Sequence, residues 1–245
     1  MLDLSVVIPV YNEEENLPLL WPELRGVLDG LALVYEVIFV DDGSRDRSAE
    51  LIRAFCDADT RVRLVRLKEN AGETAATDAG FKATLGRCVV VMDADLQNDP
   101  QDIPRMLHEL ERWDAVTGWR VHRGDGDSVV RQVSSRLANR VRNWISDETI
   151  QDSGCTFRAF RRECLRGLVL YRGFHRFIPT LLRMRGYRVL EIAVNHRPRR
   201  FGQSKYGVLN RVFVAFVDLL VVRWMKSRFL RYEVAEDLGG SLIRD

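Results

Sequence analysis

The sequence has few of the residues and motifs that mark several common protein classes. Its 245 residues include only four cysteines and four histidines, which show neither a C-x-x-C pair nor the spacing of metal ligands. It contains no P-loop, no G-x-G-x-x-G fingerprint and no G-x-S-x-G elbow. These absences argue against a zinc or disulfide framework and exclude P-loop chemistry and Rossmann-type hydride transfer.

Long uncharged segments are also missing. No run of about 18 uncharged residues, the length needed to cross a bilayer, occurs in the chain. No signal peptide precedes the first strand-like run, so a reducing, cytoplasmic setting is expected. With 46% hydrophobic residues, the chain can bury the core of one large α/β domain.

Charge is distributed unevenly along the chain. Residues 1–119 hold 12 Lys/Arg and 23 Asp/Glu, residues 120–232 hold 24 and 8, and residues 233–245 hold 1 and 4. An acidic first half next to a basic second half suits a metal site that meets an anionic partner. Nucleic acid, a phosphorylated substrate and a membrane surface all stay open at this point.

The first half alternates short β-branched runs with helical patterns, which predicts a mostly parallel sheet with helices on both faces. In such sheets ligands bind at the carboxyl ends of the strands. The predicted strands are 4–10, 35–40, 61–67 and 87–94. In the second half, helices are predicted near 129–145, 174–185 and 208–226, a strand near 187–194 and a loop at 123–128.

The segment "VVIPVYNEEENL" follows the first predicted strand. Pro9 at a strand end removes a ladder donor, and Tyr11 and Glu13 could frame a planar ring and accept from its N–H groups. The alternative is a strand end followed by a helix with an acidic first turn, and for this segment alone it is the stronger interpretation.

The segment "VDDGS" follows the second predicted strand. Asp41 and Asp42 could accept hydrogen bonds from a base or a ribose, while Gly43 permits a sharp turn into a helix capped by Ser44 or Asp46. Turn and cap chemistry without a ligand explains these residues equally well.

The segment "VVVMDADLQNDP" is the most specific of the three. Residues i and i+2 of a strand point to the same side, so Asp93 and Asp95 could approach one ion as the hard oxygen ligands that Mg²⁺ or Mn²⁺ prefers. Helix capping explains Asp99 and Pro100 but does not explain a first carboxylate directly after a buried apolar run.

These three segments, together with "QDSGCTFRAFRR" (151–162) and "HRPRRFGQSKYG" (196–207), make the chain resemble the family 2 glycosyltransferases of the GT-A fold. The resemblance covers about residues 4–210 and is strongest to the branch that makes dolichyl- or polyprenyl-phosphate sugars. It implies a Rossmann-like, mixed, mostly parallel sheet with C-terminal amphipathic helices. It also implies a UDP- or GDP-sugar donor, Mg²⁺ or Mn²⁺, and transfer with inversion onto a polyprenyl phosphate.

The resemblance assigns roles to residues that match its motifs. It places the nucleoside at Pro9, Tyr11, Glu13, Asp41 and Asp42, and the metal and donor phosphates at Asp93, Asp95 and Gln97. The acceptor phosphate and donor diphosphate are assigned to Arg120, Arg131, Ser135, Arg199 and Lys205, with Arg200 as an alternative to Arg199. Asp152 is expected to orient the donor sugar or a cationic side chain, and the alternative is a loop cap.

The resemblance divides the chain into a catalytic domain, 1–207, and amphipathic, basic membrane-interface helices with a tail, 208–245. Leu220 stands where processive synthases carry the Gln of Gln-x-x-Arg-Trp, which disfavours processive synthesis. The apolar run near 212–222 and the cations interleaved with aromatics at 223–232 predict peripheral association with an anionic, cytoplasm-facing membrane. The alternative is a core or dimer helix with a basic end, because a broad apolar face also suits protein contacts.

Three functional hypotheses follow from these patterns. The first is a polyprenyl-phosphate sugar synthase, the second transfers a sugar directly to a lipid headgroup or glycan hydroxyl, and the third is a non-catalytic nucleotide-sugar-binding subunit. No nucleic-acid partner is expected, and a homo-oligomer or a separate membrane-protein partner stays open. The sequence does not specify the sugar.

Overall fold

The computed structural model describes residues 2–120, 150–152, 154–198, 200–201, 208–230, 232 and 236, with the side chains of 208–215 outside this description. The helix predicted at 129–145 and the loop predicted at 123–128 lie outside the described residues.

Seven strands of the described residues form one sheet in the order β3-β2-β1-β4-β6-β5-β7. The first four strands in that order are parallel, β6 is antiparallel to both of its neighbours, and β5 is parallel to β7. This arrangement confirms the predicted mixed, mostly parallel sheet. The strands are β1 (Leu4–Val10), β2 (Tyr35–Asp41), β3 (Val62–Arg66), β4 (Cys88–Val91), β5 (Ala115–Arg120), β6 (Arg158–Arg161) and β7 (Val189–Val194).

Helices cover both faces of this sheet. They are α1 (Leu17–Asp29), α2 (Ser48–Ala58), α3 (Glu73–Ala83), α4 (Ile103–Glu109), α5 (Ile178–Met184) and α6 (Val208–Arg228), with 3₁₀ turns at Pro100–Asp102, Arg162–Leu165 and Phe174–Phe177. Alternating side chains of one strand enter opposite layers: Val6 and Ile8 of β1 pack with α1, α2 and α4, whereas Val7 packs with α3 and α5.

Most predicted element bounds agree with the structure to within two residues. β1 has the predicted bounds, and the helix predicted near 174–185 consists of a 3₁₀ turn followed by α5. The strand predicted at 87–94 is too long, because β4 ends at Val91. β5 and β6 were not predicted.

Helix α6 packs one side against the 174–184 region. Leu219 and Val222 are buried there with Phe174, Phe177 and other apolar residues. Asp218 also faces the protein and accepts a hydrogen bond from Arg176 at 3.0 Å. Among the described residues, no helix combines the length and apolar character needed to span a membrane.

Candidate active site

The loops that carry the three sequence motifs meet at one edge of the sheet. β1 lies between β2 and β4, and all three strands run in the same direction. The loops that follow them therefore leave the sheet side by side, as the sequence predicted.

The loops after β1 and β2 are hydrogen-bonded to each other. The backbone N–H of Asn12 donates to the Ser44 hydroxyl at 3.0 Å, and the Arg45 N–H donates back to the Asn12 side chain at 2.8 Å. The Glu13 N–H donates to the Ser48 hydroxyl at 2.8 Å. The two loops thus form one structural unit, in which Pro9, Tyr11 and Glu13 are partly buried.

Asp41 is fully buried at the end of β2. One of its oxygens accepts the Ser44 N–H at 3.0 Å, and the other lies 3.0 Å from Nε of Arg66. These contacts correspond to the turn interpretation of the sequence. The nucleoside role of Asp41 stays a prediction.

Asp42 organises the loop that leads into α3. Its carboxylate accepts the N–H groups of Ala71 and Gly72 at 2.7 and 2.9 Å and the side-chain amide of Asn70 at 2.9 Å. Burial raises the pKa of Asp42, and the two backbone N–H groups oppose that effect. Gly43 has φ +68°, and a Cβ there would lie 2.7 Å from the Asn70 nitrogen, so the sharp turn expected at this glycine is present.

Asp93 and Asp95 lie on a loop rather than on a strand. The expectation that strand alternation aligns them was wrong, because β4 ends two residues before Asp93. Instead the loop closes on itself: the Asp93 N–H donates to Asn98 Oδ1 at 2.8 Å, and the Gln97 N–H donates to Asp95 Oδ1 at 3.1 Å. Leu96 between them adopts φ +64°, which permits the tight reversal.

The carboxylate of Asp93 lies in a strongly negative environment. Burial first, and then the charges of Glu73 and Asp95, raise the pKa of Asp93 to about 7. Its Oδ2 accepts a hydrogen bond from the Thr156 hydroxyl. A divalent cation would relieve this repulsion, so the electrostatics of the loop fit a metal.

The donor set also fits such a metal. Within the part of the chain that the structure describes, no group of three or more His, Cys, Asp or Glu is arranged to hold an ion. Mg²⁺ sites commonly use one or two protein carboxylates and take their other ligands from water and substrate phosphates. Asp93 and Asp95 therefore fit a site that a phosphorylated substrate completes.

Gln97 connects the carboxylate loop to the segment that follows β7. Its backbone carbonyl accepts the Arg197 N–H at 2.9 Å, and its side-chain Nε2 donates to the Arg197 carbonyl at 3.3 Å. The Arg197 guanidinium pairs with Glu23 and Asp99 at 2.6 and 2.7 Å. The metal-ligand role of Gln97 stays a prediction. Arg200, three residues after Arg197, is exposed.

The partly buried Arg120 and the buried Asp152 form a two-pronged ion pair. Nε and a terminal nitrogen of Arg120 donate to the two oxygens of Asp152 at 2.6 and 2.8 Å. The N–H of Asp152 donates to Glu191 at 2.9 Å, which holds the segment against β7. Oδ1 of Asp152 also accepts the Gly154 N–H at 3.2 Å, which is the contact that a loop cap makes. The role of Asp152 stays a prediction.

Sequence reasoning missed Arg158, which is only 1% exposed on β6. Its guanidinium donates to the Thr117 hydroxyl at 3.3 Å and to the His175 carbonyl. Burial lowers the pKa of Arg158. An arginine at the start of a four-residue strand carries no sequence signal that separates it from a surface arginine.

His175 is a second residue that the sequence did not indicate. Burial, followed by the charges of Arg158 and Arg176, lowers the pKa of His175 to about 3, so the ring is neutral near pH 7. Its Nδ1 lies 2.7 Å from the Thr74 hydroxyl, and its Nε2 lies 3.5 Å from Glu73. The ring thus links the start of α3 to the 3₁₀ turn before α5.

Four residues that the sequence assigned to phosphate binding lie outside the described residues. They are Arg131, Ser135, Arg199 and Lys205. Their roles stay predictions.

Sequence comparisons agree with the resemblance found in the motifs. The family model described as "Glycosyl transferase family 2" matches residues 5–169. Dodecaprenyl-phosphate galacturonate synthase of Rhizobium johnstonii is 37% identical over 237 residues, covering 95% of this chain and 68% of that protein. Undecaprenyl-phosphate 4-deoxy-4-formamido-L-arabinose transferase of Yersinia pestis is 38% identical over 218 residues, covering 88% and 66%. The chain thus spans about two thirds of the length of these relatives.

Solved structures confirm the expected fold. Glucosyl-3-phosphoglycerate synthase from Mycobacterium tuberculosis in complex with phosphoglyceric acid superposes with a TM-score of 0.66 at 19% identity, covering 94% of this chain and 81% of that one. The same enzyme with Mn²⁺, UDP and glucosyl-3-phosphoglycerate gives a TM-score of 0.63 at 20% identity, covering 93% and 80%. At this identity the likeness establishes the GT-A fold and nothing finer.

Proposed function

The chain belongs to glycosyltransferase family 2, and from that premise we propose that it moves a sugar from a nucleotide-diphosphate sugar to a polyprenyl phosphate, with inversion and with a divalent metal. The observation that carries the proposal is the Asp93–Asp95 loop beyond the carboxyl end of β4, where burial and the charges of Glu73 and Asp95 raise the pKa of Asp93 to about 7 against the opposing charge of Arg120. Carboxylates for a metal and the partly buried Arg120 guanidinium, at the end of β5, then lie at the same edge of the sheet.

This pairing of charges suits the proposed reaction. A nucleotide diphosphate leaving the anomeric carbon develops negative charge, and fixed cations stabilise that charge. A divalent cation held by Asp93 and Asp95 would supply Lewis-acid stabilisation of the leaving diphosphate. Arg120, held in one orientation by Asp152, would contribute a cation that does not need to reorganise.

The acceptor is proposed from its chemistry and from the names of the relatives. A phosphate monoester has a second pKa of about 6, so it is largely ionised at neutral pH and needs little help from a general base. It needs a cationic surface that positions it against an anionic donor, and residues 120–232 carry 24 Lys/Arg against 8 Asp/Glu. Both sequence relatives named above are described as polyprenyl-phosphate enzymes.

An acceptor assay tests this proposal. The full chain with Mn²⁺ and a panel of UDP- and GDP-sugars is given a short polyprenyl phosphate or the matched polyprenyl alcohol. We expect turnover with the phosphate to exceed turnover with the alcohol by about a hundredfold or more, because a site built to bind a charged group rejects an analogue that lacks it. Turnover with the alcohol alone would favour direct transfer to a hydroxyl, and silence across the panel would favour a binding subunit.

We further propose that residues 208–245 form a membrane-facing part attached to a catalytic part at 1–207. Asp218 of α6 is turned toward Arg176 of the protein. The outer side of the described part of α6 carries large apolar side chains that are 40–63% exposed: Phe216, Val217, Leu220, Val221 and Trp224. An outer side with this composition suits an apolar environment.

Cations and aromatics continue from this outer side. Arg223 and Arg228 are exposed at the end of α6, and Phe229, Leu230 and Tyr232 are exposed beyond it. Interleaved cations and aromatics suit the headgroup level of an anionic leaflet. Peripheral association with the cytoplasmic face of the membrane is therefore the location that we propose.

Vesicle binding tests the membrane assignment. The double variant Leu220→Ser and Trp224→Ser is expected to bind vesicles with anionic lipid roughly tenfold or more weakly. Each side chain is about half exposed, so its loss removes about half of the 1.5–3 kcal/mol that full apolar burial contributes. Val34→Ser is the control, since Val34 is 59% exposed immediately before β2. Unchanged sedimentation with vesicles contradicts the assignment, and concentration-dependent self-association lost in the double variant would assign α6 to a second copy of the chain.

A further inference from the structure

Thr156 lies opposite Asp93 because of the way β6 enters the sheet. β6 runs antiparallel to β4, and Val91 is paired with Arg158. In this register, each later residue of β4 is paired with an earlier residue of the other strand. Continuing that register beyond the strand ends sets Asp93 across from Thr156. The segment that leads into β6 therefore passes the carboxyl end of β4, although 63 residues separate Asp93 from Thr156.

The contact between these residues is a hydrogen bond from the Thr156 hydroxyl to Oδ2 of Asp93. Within the described residues, it is the one hydrogen bond that the Asp93 carboxylate accepts. The backbone of Asp93 is held differently, by Asn98 of its own loop. The loop thus fixes the main chain of Asp93, and the second half of the chain fixes its carboxylate.

We propose that Thr156 is a positioning residue of the metal site, whose hydroxyl fixes the direction in which the Asp93 carboxylate presents itself to a divalent cation. This inference rests on the metal dependence in the proposed function. A carboxylate can rotate about its terminal bond, and hydrogen bonds from neighbouring groups to metal-ligating side chains fix their orientation. Loss of such a partner typically lowers metal affinity about 10–100-fold.

Calorimetric titration of Mn²⁺-dependent nucleotide binding separates this role from a structural one. UDP and GDP are each titrated into the full chain with Mn²⁺ and with EDTA, so the readout does not depend on turnover. Thr156→Val keeps the side-chain shape and removes the donor, and we expect it to weaken Mn²⁺-dependent nucleotide binding at subsaturating Mn²⁺ about 10–100-fold. Thr156→Ser restores a hydroxyl and is expected to bind within about threefold of wild type.

Thr84→Val is the matched control, because the buried Thr84 hydroxyl donates to the Phe81 carbonyl at 2.7 Å at the far end of α3. Thr84→Val is expected to leave Mn²⁺-dependent nucleotide binding unchanged. If Thr156→Val fails to fold, Thr156→Ala replaces it with a smaller side chain that also lacks the donor. Thermal unfolding of every variant identifies losses that arise from misfolding.

The possible outcomes separate the metal dependence in the proposed function from the role of Thr156. Wild-type protein that binds nucleotide equally well in Mn²⁺ and EDTA overturns the metal dependence in the proposed function. Mn²⁺-dependent wild-type binding that Thr156→Val leaves intact overturns the role of Thr156 alone. That role is also overturned if Thr156→Val weakens binding equally with and without Mn²⁺, or if Thr156→Ser behaves like Thr156→Val.

Discussion

Asp95→Ala is expected to lower turnover by about a thousandfold or more and to remove metal-dependent nucleotide binding. A divalent cation held by Asp95 would stabilise the charge of the leaving diphosphate by several kcal/mol, and about 4 kcal/mol corresponds to a thousandfold in rate. Asp95 is 8% exposed and accepts the Gln97 N–H. Its loss should therefore also cost about 1 kcal/mol of stability through that hydrogen bond.

Asp95→Asn separates these two effects. The asparagine keeps an oxygen acceptor for Gln97 and removes the negative charge, so it should fold like wild type while losing most of the turnover. Initial rates with Mn²⁺ or EDTA, together with urea unfolding, measure both effects. Wild-type activity that persists in EDTA, or full activity of Asp95→Asn, would show that Asp95 holds no catalytic metal.

Asp152→Ala is expected to destabilise the protein by about 3–5 kcal/mol, because it leaves the charge of Arg120, whose side chain is only 14% exposed, without its bidentate partner. Replacing both members, with Arg120→Met and Asp152→Leu, should recover much of that loss since no charge then stays buried and unpaired. The free energy of unfolding from urea titration gives both numbers.

Asp78→Ala is the comparison for this pair. Asp78 pairs with the exposed Lys82 at 2.6 Å on one face of α3, and exposed pairs at this spacing contribute only about 0.3–0.5 kcal/mol. Similar losses for Asp152→Ala and Asp78→Ala would mean that the Arg120–Asp152 pair is as solvated as a surface pair. Its use as a fixed cation in the site would then lose its support.

The first half of the fold follows closely from the sequence because β1, β2 and β4 are largely buried runs rich in β-branched residues. β1 is recognisable from its pattern, since both of its faces pack against helices. β4 shows the limit of such patterns. The Asp93 N–H donates to the side chain of Asn98 rather than to a neighbouring strand. The pattern of apolar residues does not reveal that a side chain replaces the strand partner.

The second half is less predictable because its strands pair between residues far apart in sequence and because β6 is short. β6 has four residues and an arginine at each end, and one of these, Arg158, is buried. Its burial depends on the Thr117 hydroxyl and the His175 carbonyl, which come from other elements. A single sequence gives no sign of such a distant partnership.

The residues of the candidate site also differ in how far the sequence predicts them. Residues at strand ends, such as Asp93 and Asp95, could be placed at the ligand-binding edge from the order of strands alone. Arg120 and Asp152 were both expected in the site, but their pairing was not. Thr156 was missed because its contact with Asp93 follows from the register of an antiparallel strand that the sequence did not reveal.

The position of β6 between β4 and β5 also determines when the sheet can be completed during synthesis on the ribosome. β4 emerges early, but its outer neighbour β6 comes only after the whole of residues 121–149. Until then the nascent sheet can extend from β3 to β4, and β4 is an edge strand with unpaired backbone groups. Pairing across such a long separation in sequence is slow, so a nascent chain that stalls before Arg158 presents the apolar edge of Val89–Val91 as a template for aggregation.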